Sequence, residues 1–320
     1  MRIGFIGLGS AGGNLAGTLL RNGVDLTVLD LDAARVADFV ARGARAGTAP
    51  AEMLTRCGTV ITCLPSPKAS AAVVEGPGGL LEAMGEGRIW LEMSTTDEAE
   101  VKRLNEKIVA RGGRMADVPV SGGVHRAATG NISVFAGCDR ETFERVLPIL
   151  SIVGRSVLHT GPLGSASVLK VMTNYLATAN LLTLCEALVT MKAAGMDLAT
   201  TYEAIRISSG NSFTHETESQ LILSGSRDVN FTMDLVQKDI GLFQKIAEAH
   251  GVPLEISPLM IRIFTDAQAR YGERAQSDRV IERLEEATGL SVLAEGFPQE
   301  LVDTEPEGPG AEIVPKGRRG

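Results

Sequence analysis

The chain has 320 residues, 44% hydrophobic and 22% charged, with 39 acidic against 31 basic side chains and a net charge of −8. That balance excludes a disordered chain and fits a folded protein of two domains. An acidic chain without clustered Lys and Arg speaks against a nucleic-acid partner and for small-molecule chemistry. Cys57, Cys63, Cys138 and Cys185 form no CxxC pair and stand at no metal-ligand spacing from His125, His159, His215 or His250. Free thiols, no metal site and a reducing, cytoplasmic setting are therefore expected. Strand character begins at Arg2, and no run approaches the roughly 20 apolar residues of a membrane helix, so neither a secretion signal nor a membrane span is expected.

In chain order, short apolar runs at 3–6, 26–29, 60–64, 89–91 and 133–136, with a faint one at 44–46, predict strands. Helical patterns at 12–22, 32–41 and 97–111 fall between them. This alternation predicts a Rossmann-type α/β domain, a doubly wound parallel sheet, over residues 1–163. Residues 166–194 contain neither proline nor glycine, and Leu169, Met172, Leu176, Leu181, Leu184 and Leu188 recur at helical spacing. One helix of about 43 Å is expected there, a spine leading into an all-α domain over 164–295. Further helical patterns at 234–250, 258–271 and 277–288 continue that domain. Residues 296–320, rich in Pro, Gly and Glu, predict a tail that is loosely held or docked on a partner subunit.

Gly7-Leu8-Gly9-Ser10-Ala11-Gly12 is a GxGxxG that follows a strand and opens a helix. In that context the glycines permit a tight turn, close approach of a pyrophosphate and close helix–strand packing, with the phosphates at the helix N-terminus. Asp30 ends the next strand, where a carboxylate accepts hydrogen bonds from the adenosine ribose and repels a 2′-phosphate. Asp32 adds to that repulsion, so NAD is the expected cofactor. The alternative is that Asp30 only caps the following helix.

Asp117-Val118-Pro119-Val120-Ser121-Gly122-Gly123 comes next. Consecutive Ser121, Gly122 and Gly123 amides can form a concavity for a carboxylate, although an ordinary turn has the same composition. Lys170 and Asn174 lie four apart on the long helix and share a face. In water Lys170 is a plain helix lysine; in a dry site it could exchange a proton near neutral pH.

Together these motifs resemble the β-hydroxyacid dehydrogenase family, the relatives of 3-hydroxyisobutyrate dehydrogenase and tartronate semialdehyde reductase. The resemblance runs over residues 1–290 and includes Leu64-Pro65, Glu92-Met93-Ser94-Thr95, the Ser-Gly-Gly segment, the Lys170 helix and Lys238-Asp239. It implies a hydride-transferring oxidoreductase acting on a small 3-hydroxy acid or semialdehyde, with its active site between a Rossmann and a helical domain. By position, Leu64, Pro65, Ser94 and Thr95 would line the cofactor, and Lys238 would reach it or close the site. Ser121, Gly122 and Gly123 would hold the substrate, Asn174 would orient it, and Lys170 would be the acid/base. A homodimer or homotetramer is implied, and the apolar surface of the long helix argues the same way. An imine reductase on the same fold and a non-catalytic binding module are the rival readings, and the retained Lys170 weighs against both. Ala11 and Glu92 depart from the family pattern, as does Val124-His125-Arg126. His125 and Arg126 either reach the far end of the substrate, favouring a second polar or acidic group, or face solvent.

Overall fold

The structure is a computed structural model in which residues 1–317 are described; positions 318–320 of the expected tail lie outside the described residues. The chain divides into two compact units, Met1–Lys170 together with Asp303–Gly320, and Val171–Val302. The boundary expected after residue 163 thus falls inside the first unit, and the tail is divided, its described residues from Asp303 on belonging to the first unit and 296–302 to the second.

The first unit opens β1 (Arg2–Ile6), α1 (Ser10–Arg21), β2 (Asp25–Leu29), α2 (Ala33–Ala41), β3 (Arg45–Ala46) and α3 (Pro50–Cys57). It continues β4 (Thr59–Thr62), α4 (Pro67–Glu75), α5 (Leu80–Ala83), β5 (Ile89–Glu92), α6 (Glu98–Val109) and β6 (Arg114–Asp117). Then come β7 (Val120–Ser121), α7 (Val124–Thr129), β8 (Ile132–Gly137), α8 (Arg140–Val153) and β9 (Gly154–Gly161). The strands form one sheet in the order β10-β9-β8-β6-β5-β4-β1-β2-β3, with β7 paired to β8 and β10 (Ala311–Ile313) supplied by the tail. Every pairing along that order is parallel except β6 with β8.

Central strands read as unbroken apolar runs because helices cover both faces of the sheet. In β1, Ile3, Gly4, Phe5 and Ile6 are all buried. Leu15, Leu19, Phe143 and Leu150 of α1 and α8 pack on one face, and Leu54, Val101 and Leu104 of α3 and α6 on the other. The strand order reverses between β4 and β1, and at such a switch point the loops at the strand C-termini part to leave a crevice for a ligand.

β6, β7, β9 and β10 were not anticipated. β6 carries Arg114 and Asp117, β9 mixes Arg155, His159 and Thr160 with its apolar residues, and β10 has only three residues; none has the alternation or the apolar run that marks a strand. The tail is not left loose: β10 pairs with β9 in parallel through Ala311, Glu312 and Ile313.

α9 (Ser165–Ala193) is the expected long helix, 29 residues without a break. It leads into α10 (Leu198–Arg206), α11 (Phe213–Ser224), α12 (Met233–Ala249), α13 (Ile256–Tyr271), a 3₁₀ turn (Ser277–Ile281) and α14 (Glu282–Thr288). Every named element of the second unit is helical. Leu181, Leu184 and Leu188 of α9 pack there with Ile222, Ile240 and Phe264. By length and composition alone α9 could cross a bilayer, contrary to expectation. Its C-terminal half, through Leu181, Leu184 and Leu188, packs in the helical core.

Asp278 is fully buried in this unit. Burial, opposed by the Arg227 guanidinium, pushes its carboxyl up to about 7. The folded chain therefore keeps this proton between about pH 4 and 7, where the unfolded chain releases it, so stability is lost as pH rises through that window, by up to about 1.4 kcal/mol per unit. Asp278→Asn should flatten this dependence: the melting temperature of the natural chain should fall more steeply between pH 5 and pH 7.5 than that of the variant. Parallel melting curves would assign the Asp278 carboxyl an ordinary pKa.

Candidate active site

The glycine loop, Asp30, Leu64, Pro65, Ser94 and Thr95 follow the C-terminal ends of the parallel strands β1, β2, β4 and β5 of the first unit. After β1, Gly7 holds φ +96°, and a Cβ there would lie 2.3 Å from the Cys63 carbonyl oxygen. A Cβ on Gly12 would lie 2.0 Å from the Gly7 carbonyl oxygen, so both glycines are required by packing. Gly9 differs. A Cβ there would meet only the Arg35 guanidinium, at 3.6 Å, leaving the outer side of the turn open. Gly9 caps α1 without a side-chain hydrogen bond, and the first turn carries no acidic residue. Amides at such an end, on an electropositive helix terminus, fit the diphosphate of a dinucleotide. A cavity of about 390 Å³ opens alongside, lined by Gly9, Ser10, Gly13, Asn14 and Arg35 among others.

Asp30 does not cap α2; Asp32 does, accepting from the Ala34 amide at 2.9 Å. Asp30 instead accepts from the Leu8 amide at 2.5 Å and from the Asp32 amide at 2.8 Å, tying the glycine loop to the end of β2. Each carboxylate oxygen has a second lone pair for a ribose hydroxyl. Asp32 is further occupied by Arg35 at 3.3 Å, and Arg35 donates to the Leu8 carbonyl at 3.1 Å. Of the two carboxylates, Asp32 is thus the less available to a ligand.

Leu64 and Pro65 follow β4, held from beneath. The Leu64 amide donates to Ser94 Oγ at 2.7 Å, and Ser94 Oγ in turn donates to buried Glu92. Thr62 Oγ1 donates to the same Glu92 oxygen at 3.1 Å and accepts from Trp90 Nε1 at 2.8 Å. Burial raises the Glu92 pKa against the hydrogen bonds of Ser70, Ser94 and Thr62. Ser94, grouped with the cofactor residues from the sequence, is buried and spent on this network; its part is to position Leu64. Thr95 beside it is partly exposed.

Ser121 ends β7, and Gly122 and Gly123 follow with φ of +131° and +86°. These conformations suit glycine alone, so the segment is more than a compositional turn. The His125 imidazole packs on Gly123, where a Cβ would lie 2.8 Å from its Cε1. Burial, helped by the Arg126 charge and opposed by Asp303, lowers the His125 pKa. Arg126 is partly exposed, and its Nη2 pairs with Glu305 of the tail at 2.7 Å.

Lys170 lies near the start of α9 and is 7% exposed. Its position is set by Asp117 at the end of β6, a residue to which sequence reasoning gave no role. Asp117 Oδ1 accepts from the Gly164 amide at 2.8 Å, and Oδ2 from the Ser167 amide at 2.7 Å and Ser167 Oγ at 3.0 Å. A buried carboxylate thus anchors the first turn of the helix. Asn174 and Lys238 belong to the second unit, where Asp239 gathers them, accepting from Asn174 Nδ2 at 2.5 Å and pairing with Lys238 Nζ at 2.9 Å. Both aspartates stand inside motifs visible in the sequence, but apart from Lys238 beside Asp239 their partners are 47 to 65 positions away, a relation no local pattern carries.

Comparison with known proteins agrees with this geometry. Residues 2–161 match the NAD binding domain of 6-phosphogluconate dehydrogenase, and residues 164–284 the NAD-binding domain of NADP-dependent 3-hydroxyisobutyrate dehydrogenase. The 2-(hydroxymethyl)glutarate dehydrogenase of Eubacterium barkeri is 33% identical over 293 residues, covering 91% of this chain and 97% of the relative. The human cytokine-like nuclear factor N-PAC is 29% identical over 268 residues, 84% of this chain but 48% of the relative, so the chain spans about half of that protein. The crystal structure of 3-hydroxyisobutyrate dehydrogenase from Salmonella typhimurium superposes with a TM-score of 0.81 at 26% identity, covering 88% of this chain and 99% of the other.

Proposed function

This chain belongs to the β-hydroxyacid dehydrogenase family, and we propose that it is an NAD-dependent dehydrogenase of small 3-hydroxy acids, or a reductase of the matching semialdehydes, with Lys170 as its acid/base. A nicotinamide-dinucleotide-binding oxidoreductase of hydroxy acids is what the family establishes; the cofactor preference, the lysine and the substrate class are our reading. The observation that carries it is a buried lysine fixed by Asp117 in the same compact unit as an open dinucleotide loop.

The cofactor, when bound, supplies the hydride acceptor or donor. The amides at the start of α1 would hold its diphosphate, Asp30 its ribose, and Leu64 and Pro65 its reactive end. The Ser121, Gly122 and Gly123 backbone would receive the substrate carboxylate. In the oxidative direction, neutral Lys170 takes the hydroxyl proton at Nζ; in the reductive direction its ammonium returns a proton to the forming alkoxide. Asn174 and Lys238 carry the substrate- and cofactor-side roles that the family resemblance gives them, each held by Asp239.

Lys170→Ala should lower turnover by about 10²- to 10⁴-fold while leaving cofactor affinity intact, the range of a lost general acid/base. Lys170→Arg should not restore it, because a guanidinium stays charged and cannot accept the proton. Steady-state rates with a panel of short 3-hydroxy acids, beside fluorescence titration with NAD, measure both; a loss below tenfold removes Lys170 from this role.

NAD should be preferred over NADP by roughly 30-fold in catalytic efficiency, the equivalent of one unfavourable charge contact of about 2 kcal/mol at Asp30. Equal efficiencies would contradict the assignment of Asp30 to the ribose.

The reading includes a homodimer or homotetramer, supported by α9, of whose most apolar stretch only a third is buried and on which Leu176 is half exposed. Light scattering at micromolar concentration should give a mass two or four times that of the chain, and a monomer mass would leave those apolar residues exposed to water.

A further inference from the structure

α7 has six residues, too few to be stable alone, and glycines at positive φ flank it: Gly122 and Gly123 before, Gly130 after. Nothing within α7 fixes its direction, yet it continues directly from the Ser121, Gly122 and Gly123 backbone. Two neighbours hold it. α1 is one, with Thr18 Oγ1 donating to the Ala127 carbonyl at 2.8 Å and Arg21 Nη2 to the Ala128 carbonyl at 2.6 Å. The C-terminal segment is the other. Asp303 accepts from Thr129 Oγ1 and from Asn131 Nδ2, the latter at 2.7 Å. Asn131 Nδ2 also donates to the Glu305 carbonyl at 2.9 Å, Arg126 pairs with the Glu305 carboxylate, and Glu307 pairs with Arg21 at 3.0 Å.

The segment cannot slide along this track. The Gly310 amide donates to the Ser151 carbonyl at 2.8 Å, and a Cβ on Gly310 would lie 1.7 Å from the Gly154 carbonyl oxygen. Beyond it β10 is in register with β9, and Glu312 pairs with Arg140 at 2.6 Å. The strap also lies past both family domains, which end at residue 284.

We propose that the strap 303–313 is part of the substrate site, with Asp303 and Glu305 as positioning residues that hold α7, and through it the Ser121, Gly122 and Gly123 backbone, in the conformation that receives the substrate carboxylate. The same contacts withdraw Arg126 from the substrate by neutralising it on Glu305. This rests on the reading of the chain as a hydroxyacid dehydrogenase.

The full chain carrying Asp303→Ala with Glu305→Ala should show KM for its best hydroxy acid raised about tenfold, with kcat changed less than twofold and NAD affinity unchanged, because the loosened cradle affects substrate binding before the chemical step. Asp303→Asn with Glu305→Gln, which keeps acceptors for Thr129, Asn131 and Arg126, should recover most of that loss. Gly310→Val, which displaces the strap without touching either residue, should give the same rise in KM. Hydrogen exchange of the amides of 122–130 should quicken in the double alanine variant and in Gly310→Val while the amides of β1 and β4 stay protected. An unchanged KM, or unchanged exchange at 122–130, overturns the proposal. If the natural chain oxidises no hydroxy acid, the enzymatic reading fails, while the exchange comparison still decides whether the strap holds the loop.

Discussion

The buried carboxylate of Asp117 is the contact on which the candidate site turns. It ends β6, and it binds the Gly164 amide, the Ser167 amide and the Ser167 hydroxyl, so the first turn of α9 is fastened to the sheet rather than left to fray. Lys170 stands one turn further along. A side chain with four rotatable bonds makes a precise proton donor only if its backbone does not move, and this anchor supplies that condition. The cost is real: burial raises the Asp117 pKa against its three hydrogen bonds. A fold that keeps such a group has a use for the geometry it enforces.

The same device recurs along the strand ends. Asp30 fastens the glycine loop to β2, Glu92 and Ser94 fasten the segment after β4 to β5, and Asp303 fastens α7 to the strap. In each case a short side chain with oxygen acceptors takes up loop groups that no helix or strand pairs. Loops placed this way carry binding groups on a rigid frame. In the second unit Asp239 does for Asn174 and Lys238 what Asp117 does for α9.

Much of this could be read in the sequence, for identifiable reasons. β1, β2, β4 and β5 were visible because parallel strands buried on both faces are unbroken apolar runs, and α9 because 29 residues pass without a helix breaker. The glycine loop was legible because strand, turn and helix are contiguous. Asp117, Asp239 and Asp303 were not, since what each does depends on a partner far along the chain. Arg126 shows the same limit. Its sequence neighbours carry no sign of its partner Glu305, 179 positions later. The contacts of residues 303–313 with the sheet were not legible because composition rich in Pro, Gly and Glu signals a small apolar contribution, and this segment is held by hydrogen bonds and ion pairs.

The central claim is that Nζ of Lys170 moves the proton, and chemical rescue tests it most directly. The Lys170→Ala variant should regain turnover when small primary amines are added, with the oxidative rate rising with amine concentration and with amine basicity, as expected when the added base fills the vacated position. A variant whose residual rate is indifferent to methylamine and ethylamine, while cofactor and substrate still bind, would place the proton transfer on another group and contradict the account.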